Sequence, residues 1–532
     1  MSKVSSYLQS HIVGEISLRA DDRVAASRDQ SIIEQKPEMV LYPRTTNDLR
    51  KLARFSSQLA AKGHVLPLHV RGLGRGVTGG SLGGGLVIDT SRHLNKIFEY
   101  DPKQKLVRLQ PGVSVVTLDS TLGLEGMALL SVRGVDGTVG GAVADDAGGI
   151  FAGTYGSISS NISQLEVVLD SGDVLQTGSI NRRELNRRKG LQGREGDIYR
   201  GIDGILEDHA EYITKAQKAG GPLDRSGYPG IFDVEVKSGQ FDLTPLFVGS
   251  QGTLAIISEM IMKIDFIPSE IAYAVAVIED MARLDTTCEA IRKLSPSFIQ
   301  IFDGDLIRQA ARQGGNYEWL PGSLDQTKVV LVVGFDEMNE HVRHRGQLRL
   351  AKTMEKLSIG YMIPKTPAEI EQAKALLEVA NFSATPFDAS EQAAPVLAEN
   401  IYIPSDKLSD FIEEINKLAA EAQLSVLLEG SVLSSIYSLR VEMSLNRVTD
   451  KQKFIKMIDQ LAKVVADLGG ALVGAGGEGR LLTLAARENW DEEYLQICDE
   501  IKQVFDPHGI FGVGVKSQVD PKNLVKTLRN HN

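Results

Sequence analysis

The sequence predicts an α+β protein built from at least two domains. Its 532 residues exceed the usual size of one domain. Helix and strand signals alternate through the first half, and strands separated by helices resume in a glycine-poor second half after Pro268. The apolar content of 42% and the charged content of 24% are ordinary for globular proteins, which excludes disordered, collagen-like and coiled-coil classes.

The elements of the first half follow from local patterns. The capping residues at positions 45 to 48 predict a helix over Leu49–Lys62, with apolar residues at helical spacing. Ser171 and Gly172 form a turn pair that predicts a hairpin. The remaining predicted elements are the strands Val65–Val70, Leu86–Asp89, Leu106–Leu109 and Leu254–Ile264, the hairpin strands Gln164–Leu169 and Asp173–Gln176, and the helix Val113–Leu130.

The second half has a different pattern, with long amphipathic helices between apolar strands. Pro268 marks the expected boundary between the two halves. The predicted strands are Ala272–Ile278, Val329–Phe335 and Ile401–Ile403, and the predicted helices are Met281–Leu294, His341–Leu357, Leu408–Ala422 and Lys451–Leu468.

Charge and cysteine content exclude several classes of function. The formal net charge of −11 argues against nucleic acid as a partner. Two cysteines, Cys288 and Cys498, are too few for a disulfide framework, a Cys-ligated iron–sulfur cluster or a zinc ribbon. No apolar run approaches the length of a membrane span, and no signal-peptide pattern is present. We therefore expect a cytoplasmic protein, which leaves peripheral attachment to a membrane open.

One segment is strongly basic. Asn181–Arg194 contains six basic residues and one glutamate. It is compatible with binding an anionic partner or a membrane surface. The interpretation that we favour is a solvated loop within an insertion.

The glycines are concentrated in a short part of the chain. Twenty of the 52 lie between residues 63 and 156. The densest run is Arg71–Ser81, which follows one predicted strand and precedes another. This context disagrees with a Rossmann fingerprint, which needs a following helix, and no Gly-Lys-Ser/Thr of a Walker A loop is present. Glycines without Cβ atoms instead indicate a loop whose N–H groups surround phosphate oxygens.

Three further runs belong to the same half. They are Gly134–Ala142 with its continuation to Gly149, Tyr155–Asn161, and Gly249–Thr253. A single run of this kind is typical of ordinary turns. Four runs in this order, separated by predicted strands, favour one extended ligand site.

These motifs resemble the FAD-binding domain of the vanillyl-alcohol oxidase/p-cresol methylhydroxylase (PCMH) superfamily, in particular its glycolate oxidase subunit and D-lactate dehydrogenase branch. The resemblance extends over about residues 37 to 267. It is supported by Pro43-Arg44-Thr45, by Ser226-Gly227-Tyr228 and by the C-terminal motif Phe505–Phe511. It implies a two-part PCMH-type FAD-binding domain and an α+β cap domain for substrate with an antiparallel sheet.

The resemblance also implies a domain division and a set of cofactor residues. The expected parts are an N-terminal segment 1–36, an FAD-binding domain 37–267 with an insertion at about 180–240, a cap domain 268–485, and a C-terminal segment 486–532 that returns to the FAD domain. The implied FAD-binding residues are Arg71, Gly72, Leu73, Gly74, Arg75, Gly76, Val77, Gly79, Gly80, Ser81, Gly140, Gly141, Ala144, Asp146, Gly148, Gly149, Ser157, Asn161, Val168, Gly252, Thr253, Ile256 and Ile257.

Two positions depart from the family pattern. Arg75 stands where some branches attach the flavin covalently through a histidine, so we expect non-covalent FAD. Asp146 stands where the group usually has asparagine. A carboxylate near phosphates is unfavourable unless it is paired.

The catalytic motifs of the family are degenerate here. The group carries a metal and acid–base site in two histidine-containing motifs, and the matching stretches are Glu429–Tyr437 and Gly474–Arg480. No histidine occurs between His344 and His508, so we expect no metal site. The candidate catalytic residues that remain are Arg480, Glu478 and Tyr437, followed by Arg440, Glu442 and His69.

These features predict an FAD-dependent oxidoreductase that transfers a hydride from a small, hydroxy-acid-like substrate to FAD. Because iron–sulfur cysteines are missing, electrons would leave to oxygen, a soluble acceptor or another protein. The alternative is a flavin-binding subunit that has lost catalysis. A reductase of the cell-wall sugar type agrees less well with the large second domain.

Overall fold

The computed structural model describes residues 2–221, 223–235, 239–268, 270–379, 394–517 and 520–530. The chain divides into two compact units. Unit 1 comprises Met1–Gly149, Ser157–Asp265 and Ala475–Leu528. Unit 2 comprises Ile150–Gly156, Phe266–Gly474 and the last four residues. The chain therefore enters unit 2 more than once, and the 485/486 boundary expected from the sequence lies within the last segment of unit 1.

Unit 1 contains two main sheets. The first is mostly parallel and consists, in spatial order, of Glu15–Ser17, Met39–Tyr42, Leu86–Asp89 and Leu68–Arg71. The second is antiparallel and consists of Ile97–Asp101, Leu106–Leu109, Ile256–Lys263, Ile162–Val168 and Val174–Gln176. The central strands are buried, as parallel and sandwich-core strands usually are. The predicted hairpin around Ser171-Gly172 is confirmed.

Helices cover these sheets. The α-helices of unit 1 are Ser2–His11, Ala20–Ala25, Thr46–Ala60, Val115–Gly123, Val139–Asp145, Arg182–Lys189, Arg194–Asp208, Ala210–Lys218, Thr244–Phe247, Thr483–Glu488, Glu492–Phe505 and Pro521–Thr527. Unit 1 also contains 3₁₀ helices at Leu130–Val132, Ile158–Asn161 and Pro229–Asp233, and a two-residue strand at Met127–Ala128. The helix at Thr46 begins with a capping box formed by Thr45 and Asp48, the first and last of the predicted capping residues.

Unit 2 is built on one seven-stranded antiparallel sheet. Its spatial order is Gly360–Met362, Ala272–Ile278, Val329–Phe335, Phe298–Asp303, Ser425–Ser431, Ile436–Glu442 and Val396–Tyr402. Its helices are Ala152–Tyr155, Met281–Arg283 (3₁₀), Leu284–Arg292, Gly304–Arg312, Glu340–Leu357, Pro367–Leu376, Leu408–Glu421 and Val448–Asp467. The predicted α+β class with an antiparallel sheet in the second domain is confirmed.

Two local predictions were wrong. The helix expected over 113–130 ends at Gly123, because Gly126 adopts a φ of +68° and the chain then forms the strand Met127–Ala128. The basic segment is a helix, Arg182–Lys189, and not a solvated loop. Asn181 caps this helix and Leu185 is buried, so a short apolar anchor holds a segment that composition alone suggested was irregular.

Most cations of the basic helix are paired. Arg187 and Arg188 both contact Glu184, and Lys189 contacts the buried carboxylate of Asp203. Just beyond the helix, Arg194 donates to Asp170 at 2.7 Å. Surface pairs of this kind stabilise little, but they reduce the positive potential available to an anionic partner.

Candidate functional site

The first glycine run forms a loop between two neighbouring parallel strands, Leu68–Arg71 and Leu86–Asp89. No helix follows it directly, so the predicted strand–loop–strand context is confirmed. The backbone φ is +66° at Gly74 and +75° at Gly79, a region that glycine enters without steric cost. Gly74 and Gly79 therefore allow the loop two turns that other residues would adopt only with strain.

The amide groups of this loop have no hydrogen-bond partners in the part of the chain that the structure describes. Within the described residues, no backbone N–H from 72 to 81 donates a hydrogen bond to another protein group. The carbonyls, in contrast, are used: Gly76 accepts from the Gln30 amide, and Thr78 accepts from the amides of Arg480 and Leu481. Val77 and Thr78 are buried. Because a buried N–H without a partner is costly, the amides of these two buried residues, together with the other donors of the row, indicate an anionic ligand such as a phosphate.

Arg71 supplies a cation at the start of the same loop. Its Nη1 atom is buried and has no hydrogen-bond partner, and Nη2 is 3.5 Å from the Ala25 carbonyl. Burial lowers the pKa of this guanidinium. Arginine side chains nevertheless keep their positive charge in proteins. A Cβ atom on Gly74 would overlap the guanidinium, so this glycine makes room for the charge. Arg71 and the free amides together fit a diphosphate.

The second glycine run is built differently. Thr138 caps the helix Val139–Asp145, and its Oγ1 accepts from the Gly141 amide at 3.1 Å. The Gly140 amide donates to the Pro111 carbonyl at 2.9 Å, and a Cβ on Gly140 would lie 2.7 Å from that oxygen. Gly140 therefore permits close packing of the helix start against the loop at Pro111.

Asp146 ends that helix in the left-handed region, with a φ of +47°. Its Oδ1 accepts from the Ser157 hydroxyl at 2.6 Å, and its Oδ2 lies 3.4 Å from the Arg225 guanidinium. The pairing that the sequence analysis required for a carboxylate at this position is therefore present. It brings Asp146 and Ser157, two predicted cofactor residues, into direct contact.

The other predicted cofactor residues are mainly in the scaffold. The Ala144 carbonyl accepts from the Gln251 amide, and the Gly149 amide donates to the Ser131 carbonyl. Val168 and Ile256 are cross-strand partners with buried side chains, and Ile257 is next to them. The Asn161 side-chain amide donates to the Lys263 carbonyl, and the Thr253 hydroxyl is hydrogen-bonded to the Tyr228 hydroxyl. Gly252 has a φ of +68°, and the Leu73 side chain is exposed on the loop.

Gln251 is a central residue that the sequence analysis missed. Its Nε2 donates to Asp145 Oδ1 at 2.7 Å, and its Oε1 accepts from the Gly479 amide at 2.9 Å. A Cβ on Gly80 would lie 2.8 Å from Gln251 Nε2, so the amide also contacts the first glycine run. The only sequence signal was its place in the glycine run Gly249–Thr253. In the structure its backbone adopts a φ of +52°.

Asp145 is the titratable group in this network. Burial raises its pKa to about 6, and the Gln251 hydrogen bond opposes part of that shift. A carboxyl whose pKa is raised in the folded state destabilises the fold once it ionises. The pKa of an aspartate in the unfolded chain is near 4, so below about pH 4 the Asp145 carboxyl does not destabilise the fold. The loss of stability grows between about pH 4 and 6 and is complete above that range.

We therefore expect Asp145→Asn to stabilise the apoprotein at pH 7 by about 1–2 kcal/mol, with little difference near pH 4. Asparagine keeps the acceptor for Gln251 and removes the charge. Urea denaturation at the two pH values measures this, and Asp325→Asn at an exposed position controls for the loss of one negative charge. A variant less stable than wild type at pH 7 would contradict the expectation.

Glu478 and Arg480 both lie in unit 1 and are engaged by protein groups. Glu478 is buried, accepts from the Gly227 amide at 3.0 Å and forms an ion pair of 2.5 Å with the buried Lys516. Arg480 donates from Nε to the Leu82 carbonyl at 2.8 Å, and burial lowers its pKa to about 10. Its Nη2 lies 2.6 Å from the Val513 carbonyl and 3.5 Å from Nδ1 of the buried His69.

Tyr437 lies in unit 2. Its ring is buried, and its hydroxyl has no hydrogen-bond partner. Burial raises the pKa of this phenol, with the Cys288 thiol contributing in the same direction. The three residues predicted as catalytic thus fall into two sets, one in each unit.

The metal implied by the resemblance does not fit the residues present. Across the described ranges, no group of three or more His, Cys, Asp and Glu side chains is arranged to hold a metal ion. In the first matching stretch, the acid Glu429 lies beside Arg440, whose positive charge disfavours a cation.

Two known domain families match this chain. An FAD-binding domain model matches residues 37–178, and the model of the C-terminal domain of FAD-linked oxidases matches residues 267–515. The chain belongs to the FAD-linked oxidases. Its cofactor is FAD, and the loop of free amides lies within the first matched region.

Individual proteins resemble this chain at low identity. D-2-hydroxyglutarate dehydrogenase of Pantoea ananatis is 26% identical over 94% of this chain and 50% of its own length. Glycolate oxidase subunit GlcD of Bacillus subtilis is 24% identical over 93% of this chain and 92% of its own. The chain spans about half the length of the D-2-hydroxyglutarate dehydrogenases that it matches.

Solved structures of other proteins share the fold of this chain. The 4-ethylphenol oxidase from Gulosibacter chungangensis superposes with a TM-score of 0.70 at 15% identity, over 98% of both chains. A p-cresol methylhydroxylase superposes with a TM-score of 0.68 at 14% identity, over 97% of this chain and 96% of the other. The described part of this FAD-linked oxidase contains no helix long and apolar enough to cross a membrane.

Proposed function

We propose that this FAD-linked oxidase is a cytoplasmic dehydrogenase that oxidises a small 2-hydroxy acid with non-covalently bound FAD. The relatives whose names give hydroxy-acid substrates, D-2-hydroxyglutarate dehydrogenase, glycolate oxidase subunit and D-lactate dehydrogenase, support this substrate class. The two cysteines are free and buried, which agrees with a reducing compartment.

The observation that carries the proposal is the row of free amides at 72–81 beside the unpaired Nη1 of Arg71. Such a surface suits the diphosphate of FAD. Its amide groups donate hydrogen bonds to phosphate oxygens, and the Arg71 cation offsets part of their negative charge. FAD, when bound, supplies the two-electron acceptor that protein side chains lack. The loop, Arg71 and the Asp146–Ser157 pair would bind and orient the cofactor.

We expect FAD to be released completely by acid precipitation. Arg75 occupies the position of the attaching histidine and is paired with Asp136 at 2.9 Å. A guanidinium cation has no free electron pair with which to form a covalent bond to the flavin. The absorbance of the supernatant and pellet measures the outcome, and flavin colour that stays in the washed pellet would contradict non-covalent binding.

Anaerobic reduction of the holoprotein tests the reaction. We expect D-2-hydroxyglutarate, D-lactate or glycolate to bleach the flavin absorbance within seconds to minutes, and the matching 2-oxo acid to leave it unchanged. Substrate-free dithionite reduction provides the control for a reducible flavin. A holoprotein that dithionite reduces, but that no 2-hydroxy acid in a broad panel reduces, would refute the proposed reaction.

A holoprotein that dithionite reduces, but that no 2-hydroxy acid reduces, would favour a flavin-binding subunit without its own catalysis. One observation speaks for this alternative: the histidines of the family's catalytic motifs are missing between His344 and His508. The same experiment separates the two functions, because both require bound FAD and only the dehydrogenase requires reduction by a substrate.

A further inference from the structure

One face of the unit 2 sheet carries a polar strip among apolar residues. Cross-strand pairing places Gln300 opposite Ser431, and Glu429 opposite Ser438. Arg440 follows two residues after Ser438 and therefore points to the same side. The strand of Gln300, Phe298–Asp303, also contributes Phe298 and Phe302 to this face, and both rings lie in the apolar core. A polar strip in this environment requires partners for its hydrogen-bonding groups.

The charged pair in this strip is loosely joined. Arg440 Nε lies 3.6 Å from Glu429 Oε1, which is longer than a hydrogen bond. The same Nε atom is buried without a hydrogen-bond partner. Burial raises the pKa of Glu429, and Arg440 lowers it in part. A guanidinium offers five donors, so most of the hydrogen-bonding capacity of Arg440 remains available.

Further polar atoms near the pair lack partners. The Ser431 hydroxyl is buried and unpaired, with only 9% of the residue exposed. Gln309, on the helix Gly304–Arg312, donates from Nε2 to Glu442 at 2.8 Å, whereas its Oε1 is buried and unpaired. Buried polar atoms in native proteins are nearly always hydrogen-bonded. Unpaired atoms on Ser431, Arg440 and Gln309 together indicate a polar ligand.

The chemistry of the strip selects the kind of ligand. A guanidinium binds a carboxylate in a bidentate manner, and a carboxylate accepts a hydrogen bond from a hydroxyl group. In a 2-hydroxy acid these two functions are on directly bonded carbon atoms, so their protein partners must be neighbours. Glu429 and Arg440 meet that requirement. Gln300 also donates to the carbonyl of Ile150 within the same unit.

We propose that this strip binds a small 2-hydroxy carboxylate without a metal ion, with Arg440 holding the carboxylate and Glu429 accepting the hydroxyl proton. This inference rests on the proposed function, which supplies FAD as the oxidant. The substrate loses the hydroxyl proton to Glu429 and a hydride from its carbon to FAD, so a carbonyl forms and the 2-oxo acid leaves. Guanidinium and carboxylate thus take the places of the family's metal and histidine.

Binding of oxalate to the holoprotein by calorimetry is the first test, since oxalate carries carboxylates but no hydrogen to transfer. We expect Arg440→Gln to weaken oxalate binding about 10- to 100-fold. Lys417→Met, an exposed cation of the same unit, is the matched control and should bind oxalate like wild type. Absence of oxalate binding by wild type, or unchanged binding by Arg440→Gln, overturns the site.

Flavin reduction by a 2-hydroxy acid is the second test. We expect Glu429→Gln to slow reduction at least about 100-fold while oxalate still binds, because it removes the proton acceptor and keeps the shape. Treatment with EDTA should leave the wild-type rate unchanged. A wild-type rate in Glu429→Gln, or a rate lost with EDTA and restored by added zinc or manganese, overturns the metal-free assignment.

The two tests separate the failure of this inference from that of the proposed function. If 2-hydroxy acids reduce the flavin and neither variant has an effect, the function stands and the inference is wrong. If oxalate binding depends on Arg440 but no 2-hydroxy acid reduces the flavin, the carboxylate-binding role stands, whereas the role of Glu429 and the proposed function are wrong.

Discussion

Gly74→Ala is expected to weaken FAD binding about 100-fold. The residue has a φ of +66°, where a side chain costs about 1–2 kcal/mol, and its Cβ would overlap the Arg71 guanidinium. Displacing that cation removes charged hydrogen bonds worth about 1.5–3 kcal/mol. Fluorescence titration of the apoprotein with FAD measures the dissociation constant.

Gly63→Ala is the matched control for the backbone strain. Gly63 has a φ of +82° after the helix Thr46–Ala60, and nothing lies within 4 Å of the position that an alanine Cβ would take there. This variant should lose similar stability in urea and bind FAD like wild type. If the two glycine variants bind FAD within about threefold of each other, the loop is not the phosphate site.

Lys516→Met is expected to destabilise the holoprotein by about 3–5 kcal/mol, because it leaves the Glu478 carboxylate buried without its cation. Glu478→Gln should have a similar effect, because Lys516 then becomes the unpaired charge. The double variant should be less destabilised than either single variant, since no charge remains buried alone. Urea denaturation at saturating FAD gives the three free energies of unfolding.

An exposed ion pair provides the comparison. Lys417 contacts Glu413 and Glu414 on the surface of the helix Leu408–Glu421, and Lys417→Met should leave the unfolding free energy unchanged. If Lys516→Met is as stable as wild type, Glu478 does not depend on this partner. A double variant that is stable and still reduced by substrate would assign Glu478 to the scaffold and not to catalysis.

Much of the fold could be predicted from the sequence because it depends on local patterns. The strands Ala272–Ile278 and Val329–Phe335 are continuous apolar runs, and the structure has the same bounds. The basic helix at Arg182 was missed because its anchor is one buried leucine, too little for a periodic signal. The helix predicted over Val113–Leu130 was too long, because the chain turns at Gly126 with a φ of +68° and residues 127 and 128 then pair as a strand.

The sequence predicted which residue types form the candidate site, but only part of what each residue does there. Glycine density identified the FAD loops, yet the runs look alike in sequence. Among the described residues, the amides of 72–81 have no hydrogen-bond partner, whereas those of Gly140 and Gly141 are bonded within the protein. Gln251 carries no distinctive motif, and its contacts come from residues distant in the chain.

The sequence by itself determined the cofactor class, the two-part α+β architecture and the loss of the catalytic histidines, because these depend on residue identity and short-range spacing. Only the tertiary structure decided which polar groups are satisfied. Glu478 is paired with Lys516, 38 positions away, whereas Arg440 keeps unpaired donors beside Glu429. Whether a polar residue serves stability or binding depends on the partners that folding brings to it, and those partners lie far away in sequence.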